Sequence, residues 1–144
     1  MSGSLIGGLF TRGDYVKMGA LNQRLERQQV INSNVANSET PGYRAIGYDF
    51  EEQLQALSGG EDNVPMKASD PRHYINGMAE ADGTITPEVY VRPTESVGQD
   101  GNTVDVDQEM AAMAENQILY NATVELINKK IGTLKYAIQN GGQG

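Results

Sequence analysis

The residues that could do chemistry are few and poorly placed for it. His73 is the single histidine, and no serine–histidine–aspartate or cysteine–histidine arrangement accompanies it, so nucleophilic catalysis lacks its base. The chain has no cysteine, which removes thiol chemistry, disulfides and the sulfur-ligated zinc sites. Asp100, Asn102, Asp105, Asp107 and Glu109 crowd together as calcium ligands do. The EF-hand spacing fails, because Val104 and Asp105 stand where a ligand and the obligatory glycine belong. Helix capping accounts for these acids better. Gly7-Gly8 is not followed by Gly-Lys-Ser or Gly-Lys-Thr, so no phosphate loop is present. Glu51 and Glu52 are adjacent and point apart on a helix. Met110 and Met113 read as core fillers rather than metal ligands. No catalytic residue, metal or cofactor is expected, and no small-molecule substrate.

The totals narrow the class further. A net charge of -8 over 144 residues argues against nucleic acid, whose phosphates need Lys and Arg. It also disfavours an anionic membrane surface. No stretch approaches the roughly 20 apolar residues of a membrane span. Met1 to Phe10 has a short apolar patch but neither a basic leader nor a small-residue cleavage site, so no cleaved Sec-type signal is expected. Asn121-Ala122-Thr123 matches a glycosylation acceptor only by chance, mid-helix. With 38% hydrophobic residues, seventeen glycines, two Phe and no Trp, a large round core is not expected. Composition alone would leave the chain in the cytoplasm.

What remains is packing. Val106, Met110, Met113, Gln117, Tyr120, Val124, Ile127, Ile131, Leu134 and Ile138 recur at alternating steps of four and three, all but Gln117 apolar or aromatic. That is the stripe of a long helix made to lie along another helix. Leu119, Leu126, Ala112 and Thr133 widen it at seven-residue intervals, as contact with more than one neighbour requires. Asp105 caps this helix, with Gln108 as a capping-box partner, Asp107 and Glu109 in the first turn, and Lys129, Lys130 and Lys135 late along the dipole. Asn140-Gly141-Gly142 ends it. A helix from Asp105 to Gln139 is roughly 50 Å long at 1.5 Å per residue. Isolated helices are marginal in water, so it needs a partner along most of its length.

The spacing predicts that partner from Asp14, as cap, to about Ser38, through Met18, Leu21, Leu25, Gln28, Asn32 and Val35. Gln28, Asn32 and Gln117 would set the register, since a buried amide tolerates few alignments. The helix must stop before Pro41, and Thr40-Pro41-Gly42-Tyr43 reads as a turn. A short helix follows from Asp49 to Leu57. Pro65, Pro71, Pro87 and Pro93 then break the chain. Asn76-Gly77, Asp82-Gly83 and Asp100-Gly101 are turn dipeptides. Thr84-Ile85-Thr86 and Glu88-Val89-Tyr90-Val91 have strand composition, enough for a small hairpin.

The expected fold is therefore mainly α: an elongated antiparallel coiled-coil hairpin of N- and C-terminal helices with a loop-rich, partly β insert. In segments this means a flexible tail over 1–13, a helical core from 14–40 and 103–140, the insert over 41–102, and a short tail over 141–144. The outer apolar surface of the hairpin would be buried only on assembly.

The run Asn34-Val35-Ala36-Asn37-Ser38-Glu39-Thr40-Pro41-Gly42-Tyr43 resembles the signature of the flagellar axial proteins, which make rod, hook and hook-associated structures. Asn34, Ala36, Asn37, Thr40, Pro41, Gly42 and Tyr43 carry the match. Within that family the chain is most similar to the B-type proximal rod proteins of the basal body. The similarity extends through Arg24-Leu25-Glu26-Arg27-Gln28-Gln29, Gly101 to Met110, Glu115-Asn116 with Tyr120, and Leu134-Lys135-Tyr136-Ala137-Ile138. The insert carries little of it.

The resemblance implies a non-enzymatic, self-assembling subunit of the proximal part of the hollow drive shaft. It implies passage through the flagellar type III export apparatus, without a cleaved signal, to the periplasmic rod of the basal body. The implied partners are further copies and other rod proteins, the rod-base adaptor and the membrane ring region. The C-type rod proteins are a close alternative. A cytoplasmic helical adaptor or export chaperone is the reading from another class.

Overall fold

A computed structural model describes residues 8–58, 84–93 and 96–142. The elements run α1 (Arg12–Ala36), β1 (Ile46–Asp49), α2 (Glu51–Ser58), β2 (Glu88–Val91) and α3 (Val106–Gly141). The fold is mainly helical, and α1 packs along α3 as an antiparallel pair, as the two periodic stretches led one to expect. The two strands form one antiparallel ribbon. His73, Pro65, Pro71 and the Asn76-Gly77 and Asp82-Gly83 pairs lie outside the described residues.

Helix α1 begins two residues before Asp14, and its cap is Thr11. Asp14 sits at the third helical position and reaches back, its Oδ2 accepting from the Thr11 N–H at 2.8 Å and the Thr11 hydroxyl at 2.9 Å. This is the carboxylate half of a capping box. The helix stops at Ala36, short of Thr40, because Asn37 turns its own amide onto the last turn: Nδ2 donates to the Ser33 carbonyl at 2.8 Å. Asp105 caps α3 as expected, its carboxylate accepting from the backbone N–H groups of Asp107 and Gln108. Lys130 does not serve the end of its own helix. It reaches across to Asp14 at 3.4 Å and so ties α3 to the first turn of α1. Beyond that bridge α3 continues from Ile131 to Gly141, a further length of about 16 Å at 1.5 Å per residue.

The Thr11 bonds, assisted by Lys130 and opposed by burial, lower the Asp14 carboxyl from 3.8 to about 2. A carboxyl depressed in the folded state contributes stability that is complete above its unfolded pKa and lost as pH falls through the folded one. The denaturation midpoint is therefore expected to fall between pH 4 and pH 2. Asp14→Asn should flatten that part of the profile, as followed by circular dichroism at 222 nm in urea. An unchanged acid limb in the variant would mean that Asp14 does not tie the helices.

On its other side α1 supports the insert. Val16 and Ala20 form a small core with Tyr48, Phe50, Leu57 and Ile85. Phe50 lies under two guanidinium groups, Arg24 at 5.3 Å and Arg27 at 5.9 Å from the ring centroid. Both arginines also reach Glu51 Oε1, at 3.2 and 3.1 Å, which fixes the start of α2. The Tyr48 hydroxyl lies 2.6 Å from Gln23 Oε1 and 2.7 Å from Glu26 Oε2. Burial, with the Glu26 carboxylate, pushes its phenol well above the ordinary range.

The strand at Glu88–Val91 forms where its composition indicated, but its partner is β1, far back in the chain, with Ile46 opposite Val91 and Asp49 opposite Glu88. Thr84-Ile85-Thr86 is not a strand. Its backbone is held by side chains instead: Gln23 Nε2 donates to the Ile85 carbonyl at 3.3 Å, and the Thr86 N–H donates to Gln53 Oε1 at 2.8 Å. Gly47 admits the Tyr90 ring, which a Cβ would meet at 2.5 Å.

Candidate assembly site

The chemistry of the Asn34–Tyr43 run is structural, and its centre is Asn34. This residue is 0% exposed. Its Nδ2 donates to the Ile46 carbonyl at 2.9 Å and to Glu109 Oε2 at 3.2 Å. Its Oδ1 accepts from the Ile46 N–H at 3.0 Å and the Tyr43 hydroxyl at 3.1 Å. Every bond an amide can make is made, and three elements meet on one side chain. The pair of bonds to Ile46 copies the pattern of a neighbouring strand, so Asn34 closes the inner edge of the ribbon.

The rest of the run forms the turn. Thr40 Oγ1 donates to Asn37 Oδ1 at 3.1 Å, and the Tyr43 N–H to the Thr40 carbonyl at 3.2 Å. Gly42 takes φ 73°, which only glycine adopts without cost. Its N–H donates to the Asp100 carbonyl at 2.9 Å, and Gly101, at φ 80°, lies against it. Buried Asn102 donates from Nδ2 to the Asn37 and Thr40 carbonyls at 2.8 and 2.7 Å. The motif turn is thus docked on the segment that leads into α3. Ala36 and Pro41 stay exposed and fix backbone rather than contacts.

Glu109 is also 0% exposed. One carboxylate oxygen takes Asn34, and the other takes the guanidinium of Arg92, which follows β2. Burial of a charge on this scale is tolerable only with such partners. Further along, Asn116 donates from Nδ2 to the Arg24 carbonyl at 2.9 Å and to Gln28 Oε1 at 3.0 Å. The inward row is therefore Asn102, Glu109, Asn116, Thr123 and Lys130, a seven-residue repeat of polar groups. Four of them bind α1 or its turn.

This corrects the position of the register-setting amides within the subunit. Asn32 is exposed, and Gln117 is exposed and bonds only Asn121 of its own helix. Gln28 alone among the three reaches across. Glu109, read from the sequence as a first-turn acid, is instead the buried centre of an ion pair. The available signal was the seven-residue spacing of Asn102, Glu109 and Asn116 beside the apolar stripe.

The apolar stripe divides. Met113, Tyr120, Val124, Ile127 and Leu134 are half-buried. Val106, Met110, Ile131 and Ile138 are exposed, and so are Ile118, Leu126 and Tyr136 beside them. On α1, Met18, Leu21, Gln28 and Val35 are half-buried and Leu25 is exposed. The hairpin thus leaves one apolar row of α3 open and places a polar row inside. Among the described residues there is no metal-ligating cluster and no helix long and apolar enough to cross a membrane.

Two long terminal helices joined through this asparagine-centred turn define the class. Residues 15–44 match the family model of the flagella basal body rod proteins. The chain is 32% identical over 123 residues to the flagellar basal body rod protein FlgB of Escherichia coli K12, covering 85% of this chain and 89% of that one. It is 35% identical over 120 residues to FlgB of Cereibacter sphaeroides, covering 83% and 88%. To FlgB of Yersinia enterocolitica it is 31% identical over 130 residues, covering 85% and 90%. The chain belongs to the FlgB family of flagellar basal body rod proteins.

Proposed function

We propose that this chain is a structural subunit of the flagellar basal body rod that self-assembles through its terminal helices into the proximal part of the drive shaft. The observation that carries the reading is the open apolar row of α3, with Val106, Met110, Ile131 and Ile138 facing outward in a subunit whose own helices are already paired. Exposed rows of this kind mark surfaces that another molecule covers. A row on one side that meets a different surface on the next copy makes a contact that does not close, which builds a filament. The polar inner row fixes the shape of each subunit before it docks.

The subunit reaches the periplasmic rod by the flagellar type III route. Its neighbours are further copies and other rod proteins, the rod-base adaptor and the membrane ring region. No bond-making step is involved.

Ile131→Asp combined with Ile138→Asp is expected to abolish motility and leave the subunit absent from purified basal bodies. The unfolding free energy of the isolated chain in urea should stay within about 0.5 kcal/mol of the parent, because both side chains are exposed. Wild-type swimming would overturn the reading. Retention of the parent protein in the cytosol of flagellated cells would instead support an adaptor.

A further inference from the structure

Helix α3 carries its apolar row further than the described residues cover it. From Ile131 to Gly141 only Leu134 is half-buried, and Ile131, Tyr136 and Ile138 are exposed. Lys135 stands four residues after Ile131 and three before Ile138, so it shares their face. This end of the hairpin is basic. Lys129 and Lys135 are exposed, and so is Arg12, brought to the same end by the Lys130–Asp14 bridge. None of the three has an ion-pair partner among the described residues. After Glu125 the sequence holds no further acid.

The turn end is acidic. The Asp100 carbonyl holds the Gly42 N–H, and α3 starts close behind at Val106, so Glu39, Asp100, Asp105 and Asp107 gather there. All four are exposed, beside the exposed apolar Val97, Val106 and Met110. Arg44, next to the turn, is the exposed cation among them. The dipole of α3 accounts for Asp105 and Asp107 at its start and Lys135 near its end. It does not account for Glu39 and Asp100, which lie off the helix. Nor does it account for Arg12, which sits in the first turn of α1, where a cation opposes the dipole.

We propose that the α3 extension of one copy docks on the turn end of a second copy, its lysines toward Asp107 and Glu39 and its Ile131–Ile138 row against Val106 and Met110. The inference rests on the reading of the chain as an assembling rod subunit, and it names the surface of the next copy that the open row meets. Unlike ends attract and like ends repel, so the charges select one polarity of stacking. The extension, about 16 Å long, spans the first three turns of the next α3. The two faces differ, so the contact leaves a free head and a free tail and does not close.

The chain has no cysteine, which makes the test clean. Met110→Cys protein mixed with Ile138→Cys protein at low salt should give a dimer with a short bismaleimide, and either alone should give far less. Adding Glu39→Lys and Asp107→Lys to the first protein should lower the yield about tenfold, as should Lys129→Glu and Lys135→Glu in the second. Mixing the head-reversed with the tail-reversed protein should restore it, which a folding defect could not do. No dimer from the parent pair, yields indifferent to charge reversal, or no recovery in the doubly reversed pair would overturn the proposal. Ile131→Asp with Ile138→Asp in cells separates the two readings. If that variant is non-motile while both charge-reversed chains swim normally, the rod reading stands and this contact falls. If it too swims normally, the rod reading itself fails.

Discussion

Asn34→Asp, a change of one amide to a carboxyl of the same shape, is expected to cost about 4 kcal/mol at neutral pH. It should be worse than Asn34→Ala. The Ala variant loses four hydrogen bonds and orphans the Ile46 backbone and the Tyr43 hydroxyl, a loss of about 2–3 kcal/mol. The Asp variant keeps the acceptor toward Ile46 N–H and Tyr43 but points a second carboxylate oxygen where Nδ2 now lies. That position is 3.2 Å from Glu109 Oε2 and 2.9 Å from the Ile46 carbonyl. Two buried acceptors would face it with no donor between them. Like charges this close disfavour ionisation, so the introduced carboxyl will be held well above its ordinary range.

The sign of the pH response follows. A carboxyl raised in the folded state destabilises above its folded pKa and recovers as pH falls through it. The gap between Asn34→Asp and Asn34→Ala should therefore close from pH 7.5 toward pH 5, while the parent shows no such gain. Urea denaturation followed by circular dichroism across that range checks it. If Asp proved as stable as Asn at pH 7.5, Asn34 would not be the joint between helix, ribbon and α3 that its geometry indicates.

The same residue shows what could be read in advance. The long stripe, the Asp105 cap, the stop before Pro41 and the strand at Glu88–Val91 are local patterns, and local patterns are visible in sequence. Strand β1 is not. Ile46-Gly47-Tyr48-Asp49 alternates over four residues only and carries a glycine, too little to mark a strand. It exists because Val91 lies opposite on one side and the Asn34 amide stands in for a strand on the other. Both partners come from elsewhere in the chain. The turn motif was legible as a stop signal, yet its deepest function, Asn34 binding Glu109 and Ile46, depends on tertiary placement.

The inward row was missed for a different reason. Periodicity arguments place apolar residues inside. Here Glu109 and Asn116 are buried while Met110 and Ile131 are exposed. A polar interior is tolerated because Asn102, Glu109, Asn116 and Lys130 each find a partner on α1 or its turn, and matching of that kind restricts register more than aliphatic contacts do. Had the subunit been the finished assembly, so much exposed aliphatic surface would be a liability. In a subunit that stacks, the outer row is free to serve the next copy.

Arg92 and Glu109 give the second large effect, and it is asymmetric. Glu109 has no exposed side-chain surface, whereas the Arg92 side chain keeps 28% of its own. Arg92→Ala leaves a carboxylate sealed beneath the ribbon with a single neutral donor, Asn34, and should cost about 3–5 kcal/mol. Glu109→Ala leaves a guanidinium that can turn to water, together with a small cavity, and should cost about 1–3 kcal/mol. In a double-mutant cycle the combined variant should be less destabilised than the sum, by about 2 kcal/mol, because the worst single state, the unpaired buried charge, is absent from it. Chemical denaturation of the four proteins at pH 7.5 gives all the terms. A larger loss for Glu109→Ala than for Arg92→Ala would mean that water reaches the carboxylate once the ribbon's arginine is gone. In that case the ribbon is not clamped to α3, and the insert moves independently of the helices. With the expected order, the ribbon and the helical hairpin open as one unit. The ribbon and the outer row of α3 are then held at a fixed distance within each subunit.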